Sequence, residues 1–367
     1  MNVFNTEELV LNMGPQHPSM HGLIRLLVSL EGEVITKIEP KVGYLHRGFE
    51  KIAENKTYSQ YLPYTDRLDY LSSPANNLGY AQAVEKLAEI KVPERAEYLR
   101  IIFAELARIA SHQVMIGSTA LDMAGVSAWS YCFRDRERIL DLFEMTSGSR
   151  LTVNFLRIGG VSHEPPPEFW PALESLLEDI PNMMEEYYGI FLGNEIAMAR
   201  MKNVGILPKE WVKRFGLTGP IIRASGIQYD VRKAQPYGIY DRFDFKVPVR
   251  YGCDTYDRTM IRLDEIGESA KIIGQAMRDI PEGPILAKVP KILKPPVGEV
   301  YHRVENTKAE LGFYIVSDGS NKPARLHIRS GTFINLQVLP KIAVGCKLQD
   351  LIMIFSSLDP VAGEVDK

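Results

Sequence analysis

Ser357-Leu358-Asp359-Pro360-Val361-Ala362-Gly363-Glu364-Val365-Asp366-Lys367 lies at one end of the sequence, and Arg47-Gly48-Phe49-Glu50-Lys51 lies near the other. Neither stretch contains a cysteine. A third stretch, Asp66-Arg67-Leu68-Asp69-Tyr70, runs on into Leu71-Ser72-Ser73-Pro74-Ala75-Asn76, again without sulfur. The three cysteines of the chain, Cys132, Cys253 and Cys346, are far apart and show no paired spacing, so no zinc, iron-sulfur or redox dithiol motif is present. They read as reduced, buried thiols.

Around these stretches the composition is that of an ordinary globular protein. The chain has 367 residues, 45% of them hydrophobic and 24% charged, enough for two or three cores. A formal net charge of -3 and an isoelectric point near 6.2 leave no basic footprint for nucleic acid. No apolar run reaches the roughly 18 to 20 residues needed to span a bilayer, and Met1 to Glu8 lacks the basic and apolar regions of a signal peptide. A protein made and kept in the cytoplasm is expected, which is compatible with docking on a membrane partner.

Hydrophobic periodicity gives an α+β chain, mainly α. Leu23 to Leu30 and Val34 to Ile38 alternate around Glu31-Gly32-Glu33 and predict a hairpin. From about Asn76 the period becomes helical, through Leu78, Ala81, Val84 and Leu87, then Leu99, Ile102, Phe103, Leu106 and Ile109. Pro93 with Glu94 and Glu97 marks the start of the second helix, because Pro lacks only an amide that would be unpaired there and acids suit the positive helix end. Further helical patterns cover Arg134 to Met145, closed by Gly148, the stretch after Pro165-Pro166-Pro167, and about Asp257 to Met277. Five prolines between Ile280 and Val297 predict an extended surface linker. Beyond it, Gly312 to Val316 and Arg325 to Arg329 flank Ser317-Asp318-Gly319-Ser320 as a second hairpin, and Leu348 to Phe355 reads as a short buried helix. The expected division is an N-terminal α+β region over 1–75, a helical bundle over 76–280, and a linker with a C-terminal region over 281–367.

Gly14-Pro15-Gln16-His17-Pro18-Ser19-Met20-His21-Gly22 has two prolines and two glycines, so His17 and His21 are presented from a loop, where functional side chains concentrate. A metal site is one reading, but two histidines alone do not complete one. A structural turn is the plain alternative. Asp122 is the sole charged side chain between His112 and Tyr131, and a carboxylate in so apolar a stretch is costly unless paired.

Arg-Gly-x-Glu-Lys resembles a stretch of nickel-iron hydrogenase large subunits, and the Asp359-Pro360 segment resembles their metal motif, in which Asp-Pro is followed by Cys-x-x-Cys. With those thiolates absent at both ends, a scaffold like the hydrogenase large subunit is implied, with its metal cavity given another use. The order of the Gly-Pro-Gln-His-Pro-x-x-His-Gly loop, Tyr44-Leu45-His46-Arg47-Gly48-Phe49-Glu50-Lys51, Thr57-Tyr58, Asp66 to Tyr70 and the Gly-Glu-Val-Asp-Lys segment is similar to the 49-kilodalton-type catalytic subunits of respiratory complex I. The resemblance covers essentially the whole chain.

That resemblance implies a quinone-reducing, proton-translocating oxidoreductase subunit. It makes His21 and Tyr70 the headgroup ligands. A quinone offers two acceptor oxygens and takes up two protons with two electrons, and an imidazole and a phenol are suited to supplying them. The plain alternative for Tyr70 is a core tyrosine with its hydroxyl satisfied. Asp122 is implied as the partner of His21, fixing its tautomer and favouring its charged form; the plain alternative is a helix-cap residue. His46 and Arg47 are implied to approach a 4Fe-4S cluster held by an adjoining iron-sulfur subunit, where a fixed positive charge raises the reduction potential. No metal or cofactor is expected on this chain alone. Implied partners are the iron-sulfur subunit, other peripheral-arm subunits, membrane-arm subunits and quinone, on the cytoplasmic side of the membrane. Two rivals of other classes stand beside this reading: a non-catalytic hydrogenase-like scaffold, and a metal-dependent hydrolase using His17, His21 and Asp122.

Overall fold

A computed structural model describes residues 8–16 and 22–367. His17 and His21 lie outside the described residues. The chain starts with three antiparallel strands in the order β1 (Leu9–Met13), β2 (Arg25–Glu31), β3 (Val34–Lys41). The predicted hairpin is β2–β3. The partner strand β1 went unread because its first two residues are exposed and it carries no burial signal. Leu26, Val28 and Leu30 of β2 turn inward onto a core shared with the far end of the sequence.

Two short helices, α1 (Phe49–Ala53) and α2 (Tyr58–Thr65), lead to the bundle helices α3 (Ser73–Leu87), α4 (Glu94–Asp122) and α5 (Val126–Ser147). Thr57 and Gln60 form a capping box at α2. Helix α4 starts directly after Pro93, with Glu94 and Glu97 in its first turn, as its sequence predicts. It is buried around most of its circumference and forms the axis of the bundle. Helix α5 begins eight residues before the predicted Arg134, since its first turns are largely exposed and show no apolar stripe, and it ends at Gly148 in the left-handed conformation.

A two-residue ladder of β4 (Leu156–Arg157) and β5 (Gly160–Val161) precedes α6 (Phe169–Tyr187). Four short helices follow, α7 (Glu195–Met201), α8 (Lys209–Phe215), α9 (Pro220–Arg223) and α10 (Val231–Ala234), and then the long α11 (Thr255–Asp279), which packs along α4 and is capped by Asp254 on the Asp257 amide at 2.8 Å. After the exposed proline-rich segment comes a second antiparallel sheet, β6 (Gly298–Glu305), β7 (Glu310–Ser317) and β8 (Arg325–Arg329). The predicted hairpin is β7–β8. Helices α12 (Gly331–Leu336), α13 (Leu339–Ala343), α14 (Leu348–Leu358) and α15 (Ala362–Val365) complete the chain.

Two placements matter for function. The N-terminal sheet and the last helices share one core, tied by Ile35 N–H to the Cys346 carbonyl at 2.9 Å and Gly345 N–H to the Ile35 carbonyl at 2.8 Å. The β6–β7 connection, Asn306-Thr307-Lys308-Ala309, is buried, although connections normally run over the surface. Of the cysteines, Cys132 is buried as expected, whereas Cys253 and Cys346 are half-buried because they sit on loops at the edge of the fold.

Candidate functional site

The turn between α2 and α3 holds Asp66 to Ser72, and its backbone is bound from within. Asn77 and Asn154 donate to the Asp66 carboxylate, and Asn76 donates to the Asp69 carbonyl at 2.8 Å. Leu71 N–H and Thr307 Oγ1 reach the two oxygens of Asp69 at 3.1 and 3.2 Å. Ser72 Oγ donates to Asn306 Oδ1 at 3.0 Å, and Asn306 donates on to Asn76 at 2.9 Å. The buried β6–β7 connection therefore fastens the turn that presents Tyr70. Tyr70 itself is half-buried, beside a crevice also lined by Ser73, Pro74, Ala110, Arg136 and Thr152.

Three separate stretches of sequence meet at this tyrosine. A Cβ placed on Gly22 would lie 4.0 Å from the Tyr70 hydroxyl and 3.0 Å from the Ala362 methyl, at a φ of 138° that L side chains rarely adopt. On the other side, a Cβ on Gly363 would stand 2.7 Å from the Leu68 carbonyl oxygen and 3.6 Å from the Tyr70 ring. Only glycine lets α15 lie this close to the Tyr70 turn. The residue that follows His21, the Asp66–Tyr70 turn and the Val361–Lys367 segment thus form one locus. In hydrogenase-type Asp-Pro-Cys-x-x-Cys spacing the two sulfurs would fall at Val361 and Glu364. Among the described residues no group of three or more His, Cys, Asp or Glu is arranged to hold a metal ion.

In place of sulfur the locus holds buried charge. Lys308 Nζ donates to Asp359 at 2.6 Å, both side chains being almost wholly enclosed, and Arg262 stands 3.5 Å from the same carboxylate. Glu364 is 1% exposed, and its Oε1 accepts from the Gly331 and Thr332 amides at 2.8 and 3.4 Å, while its Oε2 has no hydrogen-bond partner among the described residues. Burial, and after it the negative charge of Asp69, pushes the Glu364 carboxyl up to about 7. Burial also raises Asp69, against the pull of Lys308, and raises Asp66 to about 6 against its two asparagine donors. Tyr70 is raised above the ordinary phenol by burial and then by Asp69 and Asp359, so its hydroxyl keeps its proton at neutral pH and is available as a donor.

Asp122 is the last residue of α4 and is half-buried. One turn before it, Thr119 Oγ1 bonds Ser356 Oγ at 2.7 Å, which ties the end of α4 to the helix that leads into Asp359. Its implied pairing with His21 concerns a residue outside the described ones. His46 and Arg47 are exposed on the loop before α1. Asp366 clamps that loop, accepting from the Gly43 and Leu45 amides at 2.7 Å each, while the Asp366 carbonyl lies 2.7 Å from His46 Nδ1. A carbonyl can only accept, so Nδ1 carries a proton and donates to it. The Arg47 guanidinium lies 5.5 Å from the centre of the Phe49 ring.

Asp69, Lys308, Asp359 and Glu364 were not singled out as site residues from sequence. The signal for Lys308 is the polar run Glu305-Asn306-Thr307-Lys308 just before the apolar strand β7, which reads as a surface turn until tertiary packing buries it.

Comparison with known proteins gives the family. The family model described as "Respiratory-chain NADH dehydrogenase, 49 Kd subunit" matches residues 122–296 and 288–367. The chain is 72% identical over 362 residues to the D-type subunit of the NADH-quinone oxidoreductase of Desulfitobacterium hafniense, covering 99% of this chain and 98% of that protein. It is 57% identical over 363 residues to the D-type subunit of Clostridium beijerinckii, with 99% and 98% covered, and 46% identical over 388 residues to that of Geotalea uraniireducens, with 99% and 100% covered. No helix among the described residues is long and apolar enough to cross a membrane. The chain belongs to the 49-kilodalton subunit family of the respiratory-chain NADH dehydrogenase, whose members include the D-type subunits of NADH-quinone oxidoreductases.

Proposed function

We propose that this chain forms the quinone-reduction site of a proton-translocating NADH-quinone oxidoreductase together with an iron-sulfur partner subunit, as a peripheral subunit on the cytoplasmic side of the membrane. The observation that carries the reading is the meeting of Gly22, Tyr70 and Ala362 within about one side chain of each other, where a hydrogenase-like scaffold would hold its metal. A 4Fe-4S cluster on the partner would supply electrons one at a time. This chain's residues do the rest.

A quinone headgroup at the Tyr70 hydroxyl accepts a hydrogen bond that strengthens as negative charge develops on its oxygen. Tyr70 and His21 donate the two protons that accompany the two electrons, and Asp122 reorganises as His21 becomes neutral. His46 and Arg47 lie on an exposed loop, held by Asp366 in a fixed orientation that suits docking against the cluster-bearing subunit. The loss of charge at His21 is the event from which coupling to membrane-arm subunits would start.

A photoreactive quinone tests the reading in the assembled complex. Label is expected on the peptides carrying Leu68–Ser73 or Val361–Val365, displaced by excess natural quinone. Displaceable label confined to other peptides or other subunits would defeat it and favour the non-catalytic scaffold.

A further inference from the structure

Glu364 is a carboxyl in an environment built for a neutral group. It is enclosed at the end of the sequence on α15, the same helix whose Gly363 touches the Tyr70 turn. On the α12 side it meets the Gly331 and Thr332 amides, both on Oε1, and the Thr332 side chain, whose combined pull on its proton is weaker than the opposing effect of burial. Oε2 faces no donor among the described residues, so an ionised Glu364 would keep a buried oxygen anion without a partner, which is costly. The cation within its reach is committed elsewhere: Lys367 donates to the Ile328 carbonyl and stands 3.7 Å from Glu50 on α1. On the turn side α15 packs through Gly363 against Leu68 and Tyr70, and the acid between those two is Asp69, fully buried, whose charge acts on Glu364 and whose oxygens accept from Leu71 and Thr307. Lys308, the ammonium nearest in role, is already bound to Asp359 at 2.6 Å.

Charge counting gives the same picture. Asp69 and Asp359 set against Lys308 and Arg262 are balanced, so ionising Glu364 as well would leave one uncompensated negative charge behind Tyr70. Two carboxylates that share an enclosed site do not both ionise readily. We infer, resting on the donor role proposed for Tyr70, that Glu364 and Asp69 hold one proton between them, and that this proton sets how readily Tyr70 gives up its own. Glu364 is then a positioning residue acting through Asp69, the residue adjacent to Tyr70. With the proton in place, the phenolate left by proton donation faces a balanced cluster. Without it, the phenolate faces an added negative charge and forms less readily.

The sign of the pH dependence follows. Glu364 is pushed up to about 7, so the shared proton is present below that pH and lost above it. Quinone reduction by the native complex should slow as pH rises through about 7. A like charge shifting Tyr70 by about one unit corresponds to a roughly tenfold loss of rate. Glu364→Gln keeps the two acceptor contacts and is neutral at every pH; Glu364→Met is a second neutral side chain of similar length. In membranes containing the assembled complex, both variants should keep more of the low-pH quinone rate than the native complex as pH rises through about 7, with reduction of an artificial acceptor following one common profile in all three. Variant profiles that fall in parallel with the native one would overturn the inference while leaving the quinone site standing. Failure of the photoreactive quinone to reach the Tyr70 turn is a different result and would remove both.

Discussion

The bundle interior and the Tyr70 locus both bury charge, yet they treat it in opposite ways. In the bundle, Arg223 sits 2.7 Å from Glu265 and 2.8 Å from Glu305, Arg232 sits 2.6 Å from Asp230 and 3.0 Å from Glu105, and Arg108 sits 3.1 Å from Glu105. Burial alone would raise Glu105, but Arg108 and Arg232 outweigh it and hold the carboxyl at about 2. Glu265 is likewise held well below the usual range, against burial, by Arg223 and by its bond with His112. His112 is pushed down to about 4 by burial, so it stays neutral and donates from Nε2 to Glu265 at 2.8 Å. Glu305, raised by burial and by Asp230, and Glu97, raised by burial against Arg100, are exceptions. Around Tyr70 burial outweighs the cations present, Arg67 at 3.2 Å from Asp66 and Lys308 at 2.6 Å from Asp359, and Asp66 at about 6 and Glu364 at about 7 lie in the range where protons come and go. One region fixes its charges, and the other leaves them exchangeable. Guanidinium forks supply the first behaviour, and a surplus of enclosed carboxylates supplies the second.

Breaking the fixed region should have the largest effect. Arg223→Met strands Glu265, Glu305 and Asp230 without their shared cation, and removing one partner of a buried network costs about 3 to 5 kcal/mol. A sharply lower melting temperature, or failure of the subunit to enter the complex, is the expected outcome. A loss below about 1 kcal/mol would show that the network is not the rigid frame described.

The exchangeable region should respond less, and in a pH-dependent way. The folded Glu364 holds its proton up to about 7, above its ordinary value of 4.5, so the native state binds more protons than the unfolded chain between those values. Stability therefore falls as pH rises through that window, by up to about 3 kcal/mol at about 1.4 kcal/mol per unit. Glu364→Gln lacks this loss and should melt higher than the native protein above pH 7 while matching it in acid. Equal melting at every pH would place Glu364 among the compensated acids.

The two regions were also legible in the sequence to different degrees. The helices of the bundle declared themselves through apolar spacing and through local punctuation, as at Pro93 and Gly148, because those signals act within a few residues. Strand β6 was hidden, since Tyr301-His302-Arg303 reads as polar surface and the proline-rich run stands close before it. Tyr70, His46 and Arg47 stand out in the sequence through their motifs. Lys308 and Glu364 do not, because what makes them unusual is enclosure by segments tens of residues away in sequence, Asp359 for the first and Gly331 for the second. A lysine in a turn and a glutamate near a chain end look solvated until β7, α12 and α15 close over them. Burial of titratable groups is a property of the tertiary fold and has no local sequence signature.

Tyr70 is the proposed proton donor to quinone, and Tyr70→Phe tests that role most directly because the substitution removes one hydroxyl and keeps the ring against Gly363. In the assembled complex, quinone reduction should fall by about a hundredfold or more, the usual contribution of a positioned acid, while reduction of an artificial acceptor and the melting temperature remain near native. Quinone turnover unchanged in the variant would contradict it.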